Sequence, residues 1–171
     1  DFGSFTSPAF VDYNADGLMD ILVGQGGSLS DEEVNMSLVL FENTGTKTNP
    51  SFELVDRDYL GFSEFKTTSN NPSPTFGDLD SDGDLDLIIG DNVGNLYYYE
   101  NIAGAGQTLD FANKVFKYMD INVGNGAKPH LVDFDQDGLM DLVIGEERTN
   151  GFEIPGTQEF ITGNLNYFKN I

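Results

Sequence analysis

The chain contains 171 residues, of which 29 are acidic and 8 are basic, and its formal net charge at pH 7 is −21. This acidity argues against binding to nucleic acid or to an anionic membrane surface, and no apolar run is long enough for direct membrane insertion. The chain has no cysteine but 14 phenylalanines, 7 tyrosines and 20 glycines, which excludes disulfides and favours an all-β protein rich in turns.

The first predicted strand, Pro8–Val11, leads into an acidic loop at residues 12–20, and the branched strand Ile21–Val23 follows the loop. Leu38–Asn43 predicts a third strand, and a fourth is expected near Phe52–Val55. Four short antiparallel strands joined by turns are the content of one propeller blade.

The same order of elements recurs twice along the chain. The second copy has the acidic loop 78–86 and strands at Ser73–Gly77, Leu87–Gly90, Leu96–Asn101 and near Val115–Met119. The third has the loop 133–141 and strands at Lys128–Val132, Leu142–Gly145 and Leu165–Asn170. The loops begin 66 and then 55 residues apart (12 to 78, 78 to 133), which is typical of one supersecondary unit per repeat. The sequence therefore predicts an all-β partial β-propeller. Its three four-stranded antiparallel blades are expected at residues 1–66, 67–122 and 123–171, the third lacking its last strand.

The three acidic loops share the pattern D-x-[DN]-x-D-G-x-x-D. Oxygen side chains at loop positions 1, 3 and 5 converge on one point, as a hard cation requires, and the glycine at position 6 allows the sharp turn. Position 7 can offer a backbone carbonyl, and position 9 closes the shell with a carboxylate. We therefore predict three Ca²⁺ sites, with the ligands Asp12, Asn14, Asp16, Leu18 and Asp20; Asp78, Asp80, Asp82, Asp84 and Asp86; and Asp133, Asp135, Asp137, Leu139 and Asp141.

These loops are not EF-hands, because position 12 is apolar where an EF-hand needs a bidentate glutamate. Position 8 is also apolar in all three, and its side chains are expected to fill the blade core beneath the ion (Met19, Leu85 and Met140). Asn14 gives the first loop one negative charge fewer than the others, so this loop is expected to bind calcium most weakly. Cytosolic calcium is too scarce to fill weak structural sites, which favours an extracellular location.

Each loop stands in a fixed context: a strand before it, a branched strand ending in glycine after it, and then an aromatic strand ending in asparagine (Asn43, Asn101 and Asn170). This context resembles the FG-GAP repeat, also described as the VCBS repeat. It is the calcium-bearing blade of integrin α-subunit propellers and of many large secreted bacterial surface proteins. The resemblance implies a β-propeller in which each metal loop joins the innermost strand to the second strand. It also implies an extracellular or cell-surface protein, in which the remaining blades belong to a longer parent chain.

Of the three connections between second and third strands, two are longer than the remaining one, and these two differ from each other. They are Gln25–Ser37 and Glu146–Gly163, at the end of the blades opposite the calcium loops. Because long loops on a rigid scaffold often carry binding, a protein or carbohydrate ligand is expected there. Phe152 and Phe160 are the candidate anchors, since aromatic side chains dominate interface energy.

We expect a non-catalytic protein, because the carboxylates with a clear positional role are committed to calcium. His130, the single histidine, has no serine or cysteine motif beside it. The expected function is a calcium-stabilised propeller segment of a secreted or surface protein, acting in binding, adhesion or assembly. A lectin-like carbohydrate-binding propeller and the scaffold of a larger secreted hydrolase are the alternatives.

Overall fold

The computed structural model of the chain describes residues 5–26, 36–65, 71–153 and 160–170, with the backbone alone at 113, 147–153 and 160–163. Within these ranges, eleven strands form three antiparallel sheets, and the helical segments are two short 3-10 turns. The prediction of an all-β protein is therefore confirmed.

Each sheet is a meander whose strands pair in the order of the sequence. Sheet 1 contains β1 (Ser7–Val11), β2 (Asp20–Gln25), β3 (Ser37–Asn43) and β4 (Phe52–Asp56). Sheet 2 contains β5 (Ser73–Gly77), β6 (Asp86–Gly90), β7 (Leu96–Asn101) and β8 (Phe111–Phe116). Sheet 3 contains β9 (Lys128–Val132), β10 (Asp141–Glu153) and β11 (Phe160–Phe168). The 3-10 turns, Tyr59–Phe65 and Tyr118–Asp120, follow β4 and β8.

The acidic loops join the first two strands of each sheet in the same register. In every sheet, the last residue of the first strand pairs with the ninth residue of the loop (Val11 with Asp20, Gly77 with Asp86, Val132 with Asp141). The three loops therefore occupy equivalent ends of their sheets.

Two apolar cores lie between neighbouring sheets. The first packs Leu22, Leu38 and Leu40 of sheet 1 against Leu87, Ile89, Tyr97 and Tyr99 of sheet 2. The second contains Ile88 and Leu96 of sheet 2 and Leu142 and Ile144 of sheet 3. Because successive residues of a strand point to opposite faces, the branched strand β6 serves both cores. Sheet 2 is consequently covered on both sides.

Glycines in the second strands of sheets 1 and 2 allow neighbouring sheets to approach closely. A Cβ atom on Gly24 would lie 2.0 Å from the carbonyl oxygen of Pro72, and one on Gly90 would lie 2.4 Å from that of Ala127. Pro72 and Ala127 each immediately precede the first strand of the next sheet. At Gly145 of sheet 3, the nearest atom is the Cβ of Lys128 in the same sheet, 3.9 Å away. This position lacks the close neighbour that Gly24 and Gly90 have.

Two predicted elements differ from the structure. The fourth strand of sheet 2 runs over Phe111–Phe116 rather than near Val115–Met119, because left-handed backbone at Lys117 (φ 58°) and Met119 (φ 53°) ends it. The predicted loop Glu146–Gly163 is largely a hairpin of β10 and β11, in which Phe152 is opposite Ile161. Its backbone groups pair with each other across the two strands instead of remaining solvated. Residues 27–35 and 154–159 of the two predicted loops lie outside the described residues.

The side chains at loop position 8 do not fill the sheet core, so that prediction was wrong for the first two loops. Met19 is 61% exposed and Leu85 is 41% exposed, whereas the neighbouring Asp20 and Asp86 are almost completely buried. Because side chains alternate along a strand, burial of position 9 turns position 8 toward solvent. Met140 of the third loop is partly buried.

Candidate metal centres

The backbone of each acidic loop is folded around its own carboxylates. The amide of the position-6 glycine donates to the aspartate at position 1, with distances of 2.8, 3.1 and 3.0 Å in loops one to three. The amide at position 7 donates to the aspartate at position 5, at 2.8, 3.0 and 3.0 Å. Positions 4 and 6 have positive φ in every loop, with 60° to 65° at Ala15, Ser81 and Gln136. The loops therefore share one conformation although the residue at position 4 differs.

Loops two and three each bring three carboxylates together. Oxygens of Asp78, Asp80 and Asp82 lie within 4.8 Å of one another, and so do oxygens of Asp133, Asp135 and Asp137. Oδ1 of Asp78 is buried and has no hydrogen-bond partner among the described residues. A buried carboxylate oxygen without a donor, beside two further carboxylates, carries a repulsion that a cation removes. The donor set, oxygen alone, fits a hard divalent cation such as calcium.

The aspartates at position 9 lie beneath these clusters and accept backbone hydrogen bonds through both oxygens. Asp20 receives the amides of Asn43 (2.7 Å) and Tyr13 (3.1 Å), and Asp86 receives those of Asn101 (2.9 Å) and Leu79 (3.1 Å). Asp141 is held by Asn170 (2.9 Å) and Phe134 (3.2 Å). Position 9 thus clamps the loop to the third strand. Burial raises the pKa of Asp20 and of Asp86, although the donated amides oppose that shift.

Loop one has an amide where the other loops have a carboxylate, and a glutamate from β3 lies beside it. Nδ2 of Asn14 is 3.3 Å from Oε1 of Glu42 and 3.3 Å from Oδ2 of Asp16. Glu42 also accepts from the hydroxyl of Tyr13 at 3.2 Å. Glu42 therefore supplies a negative charge next to the position where this loop lacks one.

Asp84, at position 7 of loop two, differs from the leucines Leu18 and Leu139 at the same position of the other loops. Its side chain is buried, and its Oδ2 accepts from the amide of Gly104 at 2.7 Å. Oδ1 has no hydrogen-bond partner among the described residues. Burial and the nearby carboxylates of Asp82, Asp80 and Asp78 raise the pKa of Asp84. This loop therefore carries the highest local density of negative charge.

A lysine lies at the third loop. Nζ of Lys169 forms ion pairs with Oδ2 of Asp135 and, at 3.0 Å, with Oδ2 of Asp137. The amide of Leu139 and this lysine lower the pKa of Asp137, and the same two carboxylates raise the pKa of Lys169. Within the described residues, loop three is the one acidic loop whose predicted ligands form ion pairs with a basic side chain.

Two loops are also tied to the sheet that follows. The carbonyl of Tyr13 in loop one accepts from the amide of Leu109 (2.9 Å) in the β7–β8 connection. The carbonyl of Leu79 in loop two accepts from Nδ2 of Asn170 (3.3 Å) after β11. The loops therefore contribute to the junctions between sheets as well as to their own hairpins.

The sequence pattern did not predict that Glu42 and Lys169 contact the loops. Each of them directly precedes one of the strand-ending asparagines, which the pattern did include. A comparison of that position across the three repeats (Glu42, Glu100, Lys169) was the available signal. The side chains of Phe152 and Phe160 lie outside the described residues, while their backbones pair within the β10–β11 hairpin. No role for them follows from the structure.

The FG-GAP-like repeat family matches the chain at residues 12–89 and 78–144. These matches cover most of the sequence and include all three acidic loops, and the chain therefore belongs to the FG-GAP-like repeat family. No curated protein and no solved structure matches it. Neither helical segment in the described part of the chain is long and apolar enough to cross a membrane.

Proposed function

We propose that this chain is a calcium-stabilised β-propeller segment of a secreted or cell-surface protein, with a non-catalytic role in binding, adhesion or assembly. The observation that carries the proposal is the convergence of three carboxylates in loops two and three, with an oxygen of Asp78 buried and without a donor. Membership of the FG-GAP-like repeat family supports the propeller. The proposed repeat units are residues 1–66, 67–122 and 123–171.

In this proposal each loop holds one Ca²⁺ through the side chains at positions 1, 3, 5 and 9 and a carbonyl at position 7. Calcium supplies positive charge and organises the loop around oxygen ligands. The chain's own contribution is the shared backbone conformation, which presents the carboxylates together. Since Tyr13 and Leu79 of these loops accept hydrogen bonds from the following sheet, ordering the loops also stabilises the sheet junctions.

We also propose that further blades of the same kind cover the outer faces of sheets 1 and 3. Leu38 and Leu96 begin the hydrophobic part of the third strand in sheets 1 and 2, and both are fully buried against the next sheet. Leu165, the aligned residue of sheet 3, is 73% exposed. In sheet 1, at the other end of the row of three sheets, Phe10 is 61% exposed. Together with the open space at Gly145, these differences support a parent protein with additional blades.

The partner site is proposed at the end of the sheets opposite the metal loops. The β10–β11 hairpin extends there beyond the length of the equivalent β6–β7 connection, which turns within residues 91–95. A long hairpin held by a rigid sheet can present a recognition surface without altering that sheet. A protein or carbohydrate partner that contacts Phe152 or Phe160 is the corresponding proposal.

Thermal unfolding of the whole chain in chelator, calcium and magnesium tests the calcium proposal. Millimolar calcium at a site with a Kd of about 10 μM stabilises the folded state by roughly 2.7 kcal/mol. For a chain of this length, that corresponds to an increase in Tm of about 5–10 °C per site. Calcium should restore the Tm lost in chelator more effectively than magnesium, which prefers smaller octahedral sites. An identical unfolding curve with and without chelator would exclude a structural role for the ion.

A further inference from the structure

The residue before the strand-ending asparagine contacts the acidic loop in sheets 1 and 3, where Glu42 meets Asn14 and Lys169 meets Asp135 and Asp137. The backbone amides of Asn43, Asn101 and Asn170 donate to the position-9 aspartate at 2.7, 2.9 and 2.9 Å. These bonds fix the end of the third strand against the loop. The residues at this position of the three repeats are Glu42, Glu100 and Lys169. Two repeats thus have an acid at this position, and the third has a base.

The contacts of Lys169 are with the carboxylates that form the third cluster. Its ammonium group pairs with Oδ2 of Asp135 and Oδ2 of Asp137, two of the three residues whose oxygens converge. A divalent cation at the cluster and the lysine ammonium would repel each other and compete for the same oxygens. Lys169 is 41% exposed, so its flexible side chain can leave the cluster for solvent.

We propose that Lys169 is an affinity-determining residue, an internal cation that competes with calcium for the third loop. The inference rests on the proposed calcium binding and deepens it, because it predicts which site fills last. In the absence of calcium the lysine offsets repulsion among the carboxylates. When calcium binds, the ammonium group must be displaced from Asp135 and Asp137, and this displacement weakens the apparent affinity of the loop.

Including the third-strand residue changes the expected order of affinities. From positions 1, 3, 5 and 9 alone, loop one has three carboxylates and loops two and three have four each. Glu42 adds one negative charge at loop one, where it contacts Asn14, and Lys169 subtracts one at loop three. Counting the predicted side-chain ligands together with the third-strand residue alone, the total is −4 at loop one and −3 at loop three. Loop three, rather than loop one, becomes the weakest site.

The experiment is a calcium titration of the chelator-stripped, ¹⁵N-labelled whole chain, followed through the amides of Gly17, Gly83 and Gly138. Each glycine occupies position 6 of one loop and donates to its position-1 aspartate, so each reports on its own site. We expect Gly138 to respond at the highest calcium concentration. Lys169→Met should lower the midpoint of Gly138 about fivefold, the effect of removing a partly exposed ion pair. It should leave the midpoint of Gly17 unchanged.

Two further variants separate charge from packing. Lys169→Arg keeps the positive charge and should retain a weak third site, while Lys169→Glu copies the other repeats and should tighten it more than Lys169→Met. Lys114→Met removes a lysine paired with Glu64 away from the loops, and should not move any of the three midpoints. A second readout is the Tm: Lys169→Met should lower it in chelator but enlarge the increase produced by calcium. A purely structural lysine would lower the Tm under both conditions.

The outcomes distinguish this proposal from the one on which it rests. If the three glycines respond to calcium but Gly138 keeps its midpoint in Lys169→Met, the competition by Lys169 is refuted and calcium binding stands. The competition is refuted in the same way if Gly138 of the unmodified chain responds before Gly17. If no glycine responds to calcium, the proposed function itself is refuted, and the role of Lys169 with it.

Discussion

The close approach between sheets predicts opposite effects for one substitution at two equivalent positions. In Gly90→Ala the new Cβ would lie 2.4 Å from the carbonyl oxygen of Ala127 and 2.7 Å from Cδ of Pro129. Both atoms belong to a chain segment that cannot rotate away, so sheets 2 and 3 must separate slightly. Forcing a methyl group into a packed interface costs about 1–3 kcal/mol. The corresponding loss in Tm is about 2–12 °C for a chain of this size.

Gly145→Ala is the matched control, because Gly145 pairs with the first residue of β9 (Lys128) as Gly90 pairs with the first residue of β5 (Ser73). Its added methyl group would meet nothing closer than 3.9 Å, and neither glycine has the positive φ that would strain an alanine. Removing glycine flexibility from the unfolded chain is worth about 0.4–1 kcal/mol at such a position, so the Tm should stay level or rise. Thermal unfolding by circular dichroism measures both variants. Equal losses in the two would refute the stacking of sheets through these glycines.

Three further predictions concern the metal loops and the long hairpin. Asp86→Asn should destabilise the chain by roughly 1–3 kcal/mol and so lower the Tm even in chelator. The new side-chain amide would place a donor against backbone amides that donate to Asp86. Asp80→Asn should lower only the increase caused by calcium. In chelator, the raised pKa values of Asp20, Asp84 and Asp86 make the folded state bind protons more tightly than the unfolded state. Stability should therefore rise as the pH falls from neutral toward the ordinary carboxyl pKa of 3.8, the three raised carboxyls outweighing Asp137 and Asp141, whose lowered pKa values act in the opposite direction. With saturating calcium it should fall instead, and the same trend in both conditions would argue against the buried carboxylates as the cause. Deleting residues 147–163 with a short turn in their place should leave the Tm and the calcium affinity nearly unchanged. A large loss of either would show that this hairpin supports the sheets.

Much of the fold was predictable because the repeats could be compared with one another. The acidic loops and the strands beside them recur at known offsets, and each copy supports the register of the others. The extended hairpin of β10 and β11 was not predicted, because the equivalent connection in sheet 2 is short and offered no template. Beyond Gly145 the described residues of β10 pair with β11, a local choice that the other repeats do not determine.

The arrangement around the loops was less predictable, since it depends on contacts between distant residues. Lys169 and Asp135 are 34 positions apart, and Glu42 and Asn14 are 28 apart. The role of the position-9 aspartates as clamps was also missed. Their sequence pattern predicts a metal ligand, whereas their burial and their two backbone donors become visible only when the third strand is in place.

Counting the calcium ions on the folded chain shows whether the three acidic loops are metal sites. Equilibrium dialysis of the whole chain at millimolar calcium, with metal analysis of both compartments, measures that number without assigning sites. We expect three ions per chain, reduced to two by replacing Asp133, Asp135 and Asp137 with asparagine. A folded chain that retains no calcium under these conditions would contradict calcium binding by the loops.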